Sequence, residues 1–383
     1  MTSVPESPAV PRRRPRDRKQ QILVAARGLF VERGYPNVSM ALLAERLGIT
    51  AGALYRHFDN KAVLLEHVVD DSFEWLSHPV TETDFDRAVA EAITRVGDHP
   101  NLSDLWIHEI RYLPAARRAE LNRRMTAWVH SVRPAVASRR PDLDAGQQEL
   151  LVWAFQSAFS CLGRRAIHAP AASRVPAVTA AIRAMVDAPL EPTGRPQQPR
   201  PATFAPVSRR ERLLQAALEQ FGLHGYEETS MTSVGAAADV TGQNLYSYFD
   251  SKADLLRAVY DRGRHALWFG LDHALEDART PHEALVAVVR SYARIARSWS
   301  MVFEDPTAEL TVTEDALNSQ REYVAEWVAL LNLARPDIPP RQARLRVQMS
   351  ILLIADLYRN RRVSLDRAFP ANVEVLVEAI LFE

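Results

Sequence analysis

The side chains best placed to recognise another molecule stand in two short strings 191 residues apart. The first is Ala51-Gly52-Ala53-Leu54-Tyr55-Arg56-His57-Phe58, and the second is Gly242-Gln243-Asn244-Leu245-Tyr246-Ser247-Tyr248-Phe249. In each, a leucine and a phenylalanine four apart share one helical face, which leaves small and polar residues on the other. The amides of Gln243 and Asn244 carry the donor and acceptor that match adenine in a major groove; Ala51 and Ala53 offer methyls to thymine, and Arg56 offers a charge to phosphate. Recognition is the chemistry these residues can do. Elsewhere His108 and Glu109 lie side by side, but adjacent helical residues point about 100° apart, and Phe303 replaces the histidine in the second copy. They read as a satisfied polar pair. With no nucleophile-base pair, glycine-rich phosphate loop or metal set legible, neither an enzyme nor a cofactor is expected.

The strings belong to a longer repeat. Lys19 to Asp71 aligns without a gap with Arg210 to Arg262, and 19 of the 53 positions are identical, among them Phe30/Phe221, Gly34/Gly225, Tyr35/Tyr226 and Lys61/Lys252. In the first copy Ile22, Ala26, Leu29 and Phe30 share a face of one helix that should stop at Gly34. Ser39 caps a short second helix, Gly48 makes a turn, Thr50 caps a third helix, and another begins near Lys61. A supporting helix, a tight turn and a third helix with a small or polar first turn make a helix-turn-helix. The second copy keeps this plan, with Ser230 and Thr241 as the capping residues, but replaces the turn glycine by Asp239, which tolerates left-handed geometry less readily. It also places Gly235 inside its second helix, at a cost of about 1 kcal/mol relative to alanine. Between Ser230 and Tyr248 it has no basic residue, so a weak grip on DNA is expected.

The residue string resembles the TetR family of bacterial regulators: Phe30, Gly34-Tyr35, Ser39-Met40, Leu47-Gly48-Ile49, Leu54-Tyr55-Arg56-His57-Phe58 and Lys61 fall at the family's spacing. The resemblance implies phosphate contacts from Ser39, Tyr55, His57 and Lys61, and base-edge contacts from Ala51, Gly52, Ala53 and Arg56. In the second copy the matching positions are Ser230, Tyr246, Tyr248 and Lys252, with Gly242, Gln243, Asn244 and Ser247 at the bases. It also implies an all-α fold of two tandem TetR-like units, each a helix-turn-helix followed by a helical body that binds ligand and dimerises. The function implied is transcriptional regulation, as a repressor released by a small apolar effector, with double-stranded DNA as the partner.

Length and charge agree with that plan. The chain has 383 residues, enough for two or three domains, and a formal net charge of zero, so any positive field must be local. It is concentrated at the start, where Arg12, Arg13, Arg14, Arg16, Arg18 and Lys19 face a single acid, Asp17. Cys161 is the only cysteine, so no intrachain disulfide can form. With no run of 18 apolar residues and no signal-peptide pattern, a cytoplasmic protein without a membrane partner is expected. The expected boundaries are a basic disordered arm at 1–17, a first helix-turn-helix at 18–72 and its body at 73–188. A linker with six prolines follows at 189–207, then a second helix-turn-helix at 208–263 and its body at 264–383. As polyproline II the linker could span roughly 50 to 60 Å.

The duplication extends into the bodies, where Arg140-Pro141-Asp142-Leu143 matches Arg335-Pro336-Asp337-Ile338 at an offset of 195. Large side chains crowd both bodies. By resemblance they are candidates for an effector pocket: Trp75, Trp106, Trp128, Trp153, Phe155 and Phe159 in the first, Trp299, Phe303, Tyr323 and Trp327 in the second. Core packing is the plainer reading for any one of them. Trp153, Phe155 and Phe159 align with Gln348, Ser350 and Ile354, so two cavities would not accept one ligand. The last two helices of each half match the family's dimer-forming pair. The linker raises their effective concentration to the order of millimolar, which favours an intramolecular pseudo-dimer on an asymmetric operator, with a further homodimer of chains still open.

Overall fold

The computed structural model describes residues 15–97, 102–164, 167, 169–194, 206–240, 242–299 and 314–382, in which every regular element is a helix. In chain order these are α1 (Pro15–Arg33), α2 (Met40–Arg46), α3 (Ala51–Tyr55), α4 (Lys61–Ser72), α5 (Phe85–Gly97) and α6 (Leu102–Asp104). A π-helical turn at Leu105–Glu109 extends α6, and α7 (Ala115–His130), α8 (Arg133–Arg139), α9 (Ala145–Ser160) and α10 (Ala171–Asp187) complete the first half. The second half has α11 (Arg209–Glu228), α12 (Met231–Ala237), α13 (Gly242–Leu245), α14 (Lys252–Glu276), α15 (Pro281–Trp299), α16 (Glu314–Ala334), α17 (Pro340–Arg359) and α18 (Phe369–Phe382). The chain divides into two compact units, residues 1–77 with 101–125 and residues 78–100 with 126–383.

In the first unit α1 packs on α2, on α4 and on the π-helical turn. Its start at Pro15 makes the last three residues of the expected arm helical, as a proline at the first helical position allows; Arg12, Arg13 and Arg14 lie outside the described residues. Ile22, Ala26, Leu29 and Phe30 are all buried on one face of the helix. At Gly34 φ is 76°, a left-handed value that glycine adopts without strain, and α1 ends there.

The second unit holds the second cassette, most of both bodies and the segment between them. On α5 the buried residues Phe85, Ala88, Val89, Ala92, Ile93 and Val96 recur at the helical three-four spacing. On α15 Leu285, Val288, Val289, Tyr292, Ala293 and Ala296 do the same. Each helix thereby presents one continuous apolar stripe to its neighbours. Whereas α4 stops at Ser72, α14 runs on unbroken for 25 residues, across the expected boundary at 263.

The paired Arg-Pro-Asp motifs have a structural use in this unit. Arg140 makes a two-pronged contact with Asp142 (2.8 Å each) and donates to the Val186 carbonyl (2.7 Å), fastening the turn before α9 to the end of α10. Arg335 repeats the contact with Asp337 (2.8 Å each) and donates to the carbonyl of Phe382 at the end of α18. The forked guanidinium geometry suits both jobs at once.

Helices α9 and α10 pack against α17 and α18, forming a four-helix layer from the two halves. The start of the proline-rich segment is seated on the same layer. The Glu191 N–H donates to Asn372 Oδ1 (2.7 Å), and Asn372 donates back to the Glu191 carbonyl (3.0 Å). Gln147 donates to the Leu190 carbonyl (3.0 Å), and Thr193 donates from N–H and hydroxyl to Asp144 (2.8 Å each). Residues 189–194, expected to belong to a free spacer, are therefore held by side chains of α18, of α9 and of the residue capping α9. Residues 195–205 of the expected linker lie outside the described residues.

Candidate nucleic-acid interface

The first cassette is built by local hydrogen bonds that its sequence dictates. The Ser39 hydroxyl accepts from the Leu42 N–H (3.1 Å) and the Thr50 hydroxyl from the Ala53 N–H (3.2 Å), capping α2 and α3. Between them Gly48 adopts φ 62°. Leu54 and Phe58 are buried, at 0% and 1% exposure, and this fixes the rotation of α3. Ala51, Gly52, Tyr55, Arg56 and His57 are exposed as a result, and Ala53 is half-buried. Tyr55 is 50% exposed.

Lys61 is placed differently from a free phosphate ligand. Its Nζ donates to the Tyr35 carbonyl (2.9 Å) and lies 4.3 Å from the centre of the Tyr35 ring, and burial lowers its pKa. The Tyr35 ring stacks on Tyr112 (5.0 Å), and the Tyr35 N–H donates to Glu109 Oε2 (2.8 Å). Glu109 is 4% exposed, and burial raises its carboxyl to about 6 against the opposing pull of the Tyr35 N–H and Arg111. It projects from the π-helical turn, whose extra residue redirects side chains. Sequence reasoning treated Glu109 only as a satisfied neighbour of His108. The structure makes it the carboxylate that ties this turn to the end of α1.

The second cassette repeats the frame. Ser230 and Ser233 form a reciprocal cap, with the Ser233 N–H donating to Ser230 Oγ (3.0 Å) and the Ser230 N–H to Ser233 Oγ (3.1 Å). Gly225 stands at φ 79°, and Lys252 Nζ donates to the Tyr226 carbonyl (2.9 Å), 4.3 Å from its ring centre. Asp239 adopts φ 54°, the left-handed turn that glycine occupies in the first copy. Gly235 has a steric reason: a Cβ there would lie 2.8 Å from the Val240 carbonyl oxygen. Its own carbonyl accepts from the Val240 N–H at 2.8 Å, against 3.0 Å for the matching Ala44 and Ile49.

Asn244, Tyr246, Ser247 and Tyr248 are exposed around the buried Leu245 and Phe249. The Ser247 hydroxyl donates to the Asn244 carbonyl (2.7 Å), which satisfies it locally. Thr241 lies outside the described residues, as do the side chains at Gly242 and Gln243. Two further matched contacts escaped sequence reasoning although the 191-residue offset would have found them. Lys19 lies over the Phe58 ring (5.6 Å), as Arg210 lies over Phe249 (5.3 Å). Gln20 donates to Asp71 (3.0 Å) where Arg262 pairs with Glu211.

The aromatic residues of the bodies pack on one another. In the first unit Trp75 is buried and Trp106 meets Phe73 at 5.5 Å. In the second, Trp128 meets Phe159 at 6.2 Å, Phe85 meets Phe155 at 5.9 Å, and Tyr323 meets Trp327 at 6.3 Å. The Trp153 indole donates to Glu149 (2.9 Å), which also meets His130 (3.0 Å). Clefts of about 840, 380 and 300 Å³ are lined by other residues, the largest by Lys19, His57, His67, Asp70 and Arg124 among others. The Trp299 side chain and Phe303 lie outside the described residues.

Two capped helix-turn-helix cassettes followed by helical bodies define the class as a tandem helix-turn-helix protein. The family model for bacterial regulatory proteins of the tetR family matches twice, over residues 22–68 and 213–259, so each of the two cassettes is similar to that family's N-terminal domain. It is 40% identical over 60 residues to the HTH-type transcriptional regulator TtgR of Pseudomonas putida, an alignment covering 16% of this chain and 29% of that protein. With the HTH-type transcriptional activator FasR of Mycolicibacterium smegmatis it shares 45% identity over 62 residues, covering 15% and 28%. With the repressor KstR2 of the same organism it shares 32% over 72 residues, covering 19% and 33%. The chain thus spans about a third or less of the length of these relatives. A solved TetR-family regulator from Bordetella parapertussis covers 46% of this chain and 96% of its own, at 22% identity and a TM-score of 0.41.

Proposed function

We propose that the chain is a DNA-binding transcriptional regulator that grips its operator with both third helices, as a single-chain pseudo-dimer, and represses until a small apolar effector releases it. The observation that carries this reading is the pair of third helices with unlike exposed faces: Ala51, Gly52, Arg56 and His57 in one, Asn244, Ser247 and Tyr248 in the other. Tyr55 and Tyr246, half-exposed at matching positions, have hydroxyls available to phosphate. Lys61 and Lys252, held at the Tyr35 and Tyr226 carbonyls, would exchange that hold for phosphate on binding.

The effector has to wedge between aromatic rings that pack on each other in the free protein. Trp106, paired with Phe73, stands three residues before Glu109, whose contact with Tyr35 ties the body to the first cassette. Displacing Trp106 would be felt at that contact.

Nuclease footprinting tests the reading. Two protected half-sites about one helical turn apart, roughly 34 to 36 Å, or a multiple of that, are expected. Protection of a single half-site, unchanged when Gln243 and Asn244 become alanine, would leave the second cassette as an internal partner that does not read DNA.

A further inference from the structure

Where the two halves meet, the facing helices are chemically unlike. Asp356 on α17 accepts from Ser157 Oγ on α9 (2.5 Å) and from Arg164 just past α9 (2.8 and 3.0 Å), and it also pairs with Arg359 on its own helix. Arg164 is 5% exposed and Ser157 is 3%. Burial opposes the charge on Asp356, but the two guanidiniums and the Ser157 hydroxyl outweigh it and hold the carboxyl below its ordinary range.

At the body offset of 195, Asp356 aligns with Cys161, Arg359 with Arg164, and Leu352 with Ser157. If the first half paired with a second copy of itself, each buried Arg164 would meet Cys161, a thiol that burial pushes up to about 12 and keeps neutral. Two guanidiniums would be left without a carboxylate. If the second half paired with itself, two Asp356 carboxylates would share two Arg359 guanidiniums, and Leu352 would replace the Ser157 donor.

We infer that the Ser157–Arg164–Asp356 cluster makes the pairing surface of the first half exclusive for the second half of this protein. It rejects the self-pairing that a duplicated surface would otherwise allow. The inference rests on the single-chain pseudo-dimer of the preceding section. Leaving a buried charge unpaired is strongly unfavourable, so self-pairs of the first half should lie at least about 100-fold below their statistical share; self-pairs of the second half fall with them, because each one leaves two first halves to pair with each other. Covalent linkage alone would raise the chance of pairing but would not select the partner.

The test uses the full chain with a site-specific protease sequence placed between residues 196 and 202, cut after folding, unfolded and refolded so that the halves can exchange, and analysed by native mass spectrometry. The wild-type halves should remain as the one-to-one pair only. With Arg164→Met and Asp356→Leu together, Arg359 meets no carboxylate in any pairing, and the three possible pairs should approach statistical proportions. A statistical mixture from the cut wild-type protein would overturn exclusivity, and so would a double variant as exclusive as wild type. Because the wild-type measurement needs no substitution, the inference stays testable if the variant does not fold. Release of two free halves would instead overturn the single-chain pair on which it depends.

Discussion

Lys61 and Tyr35 form a contact that recurs, at the same distances, between Lys252 and Tyr226: the ammonium sits 2.9 Å from the tyrosine carbonyl oxygen and 4.3 Å from the ring centre. In each cassette it joins the start of the fourth helix to the end of the first. A charged hydrogen bond contributes about 1.5–3 kcal/mol and an exposed cation–π contact about 0.5–1. Lys61→Ala should therefore destabilise the protein by about 1–3 kcal/mol in chemical unfolding, and also reduce the salt slope of DNA binding by about one charge. A changed salt slope with unaltered stability would assign the lysine to phosphate alone.

Glu109 gives a pH signature. Its folded-state pKa, about 6, lies above the ordinary 4.5, so folding favours the protonated carboxyl. That contribution is complete below about pH 4.5 and is lost as pH rises through about 6, a change of roughly 2 kcal/mol. Glu109→Gln keeps an acceptor for the Tyr35 N–H without the charge. Wild type should thus lose stability relative to this variant between pH 4.5 and 7.5, and parallel unfolding profiles would refute the assignment.

The second turn separates two glycine effects. Asp239→Gly relieves a left-handed backbone and should stabilise by about 0.5–1 kcal/mol. Gly235→Ala drives a Cβ against the Val240 carbonyl and should destabilise by about 1–3 kcal/mol, although helix propensity alone favours alanine. Thermal unfolding of the two variants reads both signs.

Asn244 is exposed on the second third helix. Asn244→Ala should change sequence preference, losing about 1–3 kcal/mol at one base pair if the amide pairs with adenine. An equal loss on every sequence would mark it as a backbone contact.

Much of the cassette was legible because its determinants are local. Ser39, Thr50 and Ser230 bond N–H groups three residues on, and the turns at Gly34 and Gly48 announce their own backbone. Asp239 was readable as a departure by comparison with Gly48. The Glu109–Tyr35 contact was not, since it spans 74 residues and its donor is a main-chain N–H that nearly every residue has. The aligned lysines read as phosphate contacts and their hold on the Tyr35 and Tyr226 carbonyls was not legible, because spacing records where a side chain starts and not where it turns. Composition likewise revealed that Trp128 and Phe159 are large and apolar, without saying whether they enclose space or fill it. Gly235 looked like a cost until the path of the Val240 carbonyl supplied its reason.

The central claim is that one chain presents two unlike readers to one operator. A homodimer of identical readers imposes a palindrome. Here Ala51-Gly52-Ala53-Arg56 is matched by Gly242-Gln243-Asn244-Ser247, and equal half-sites would mismatch at least one reader at about 1–3 kcal/mol per wrong base pair. Selection of bound sequences from a random pool, with light scattering of the complex, measures both parts together. The account predicts two unlike half-sites bound by one 43.0 kDa chain; a near-perfect palindrome bound by two chains would contradict it.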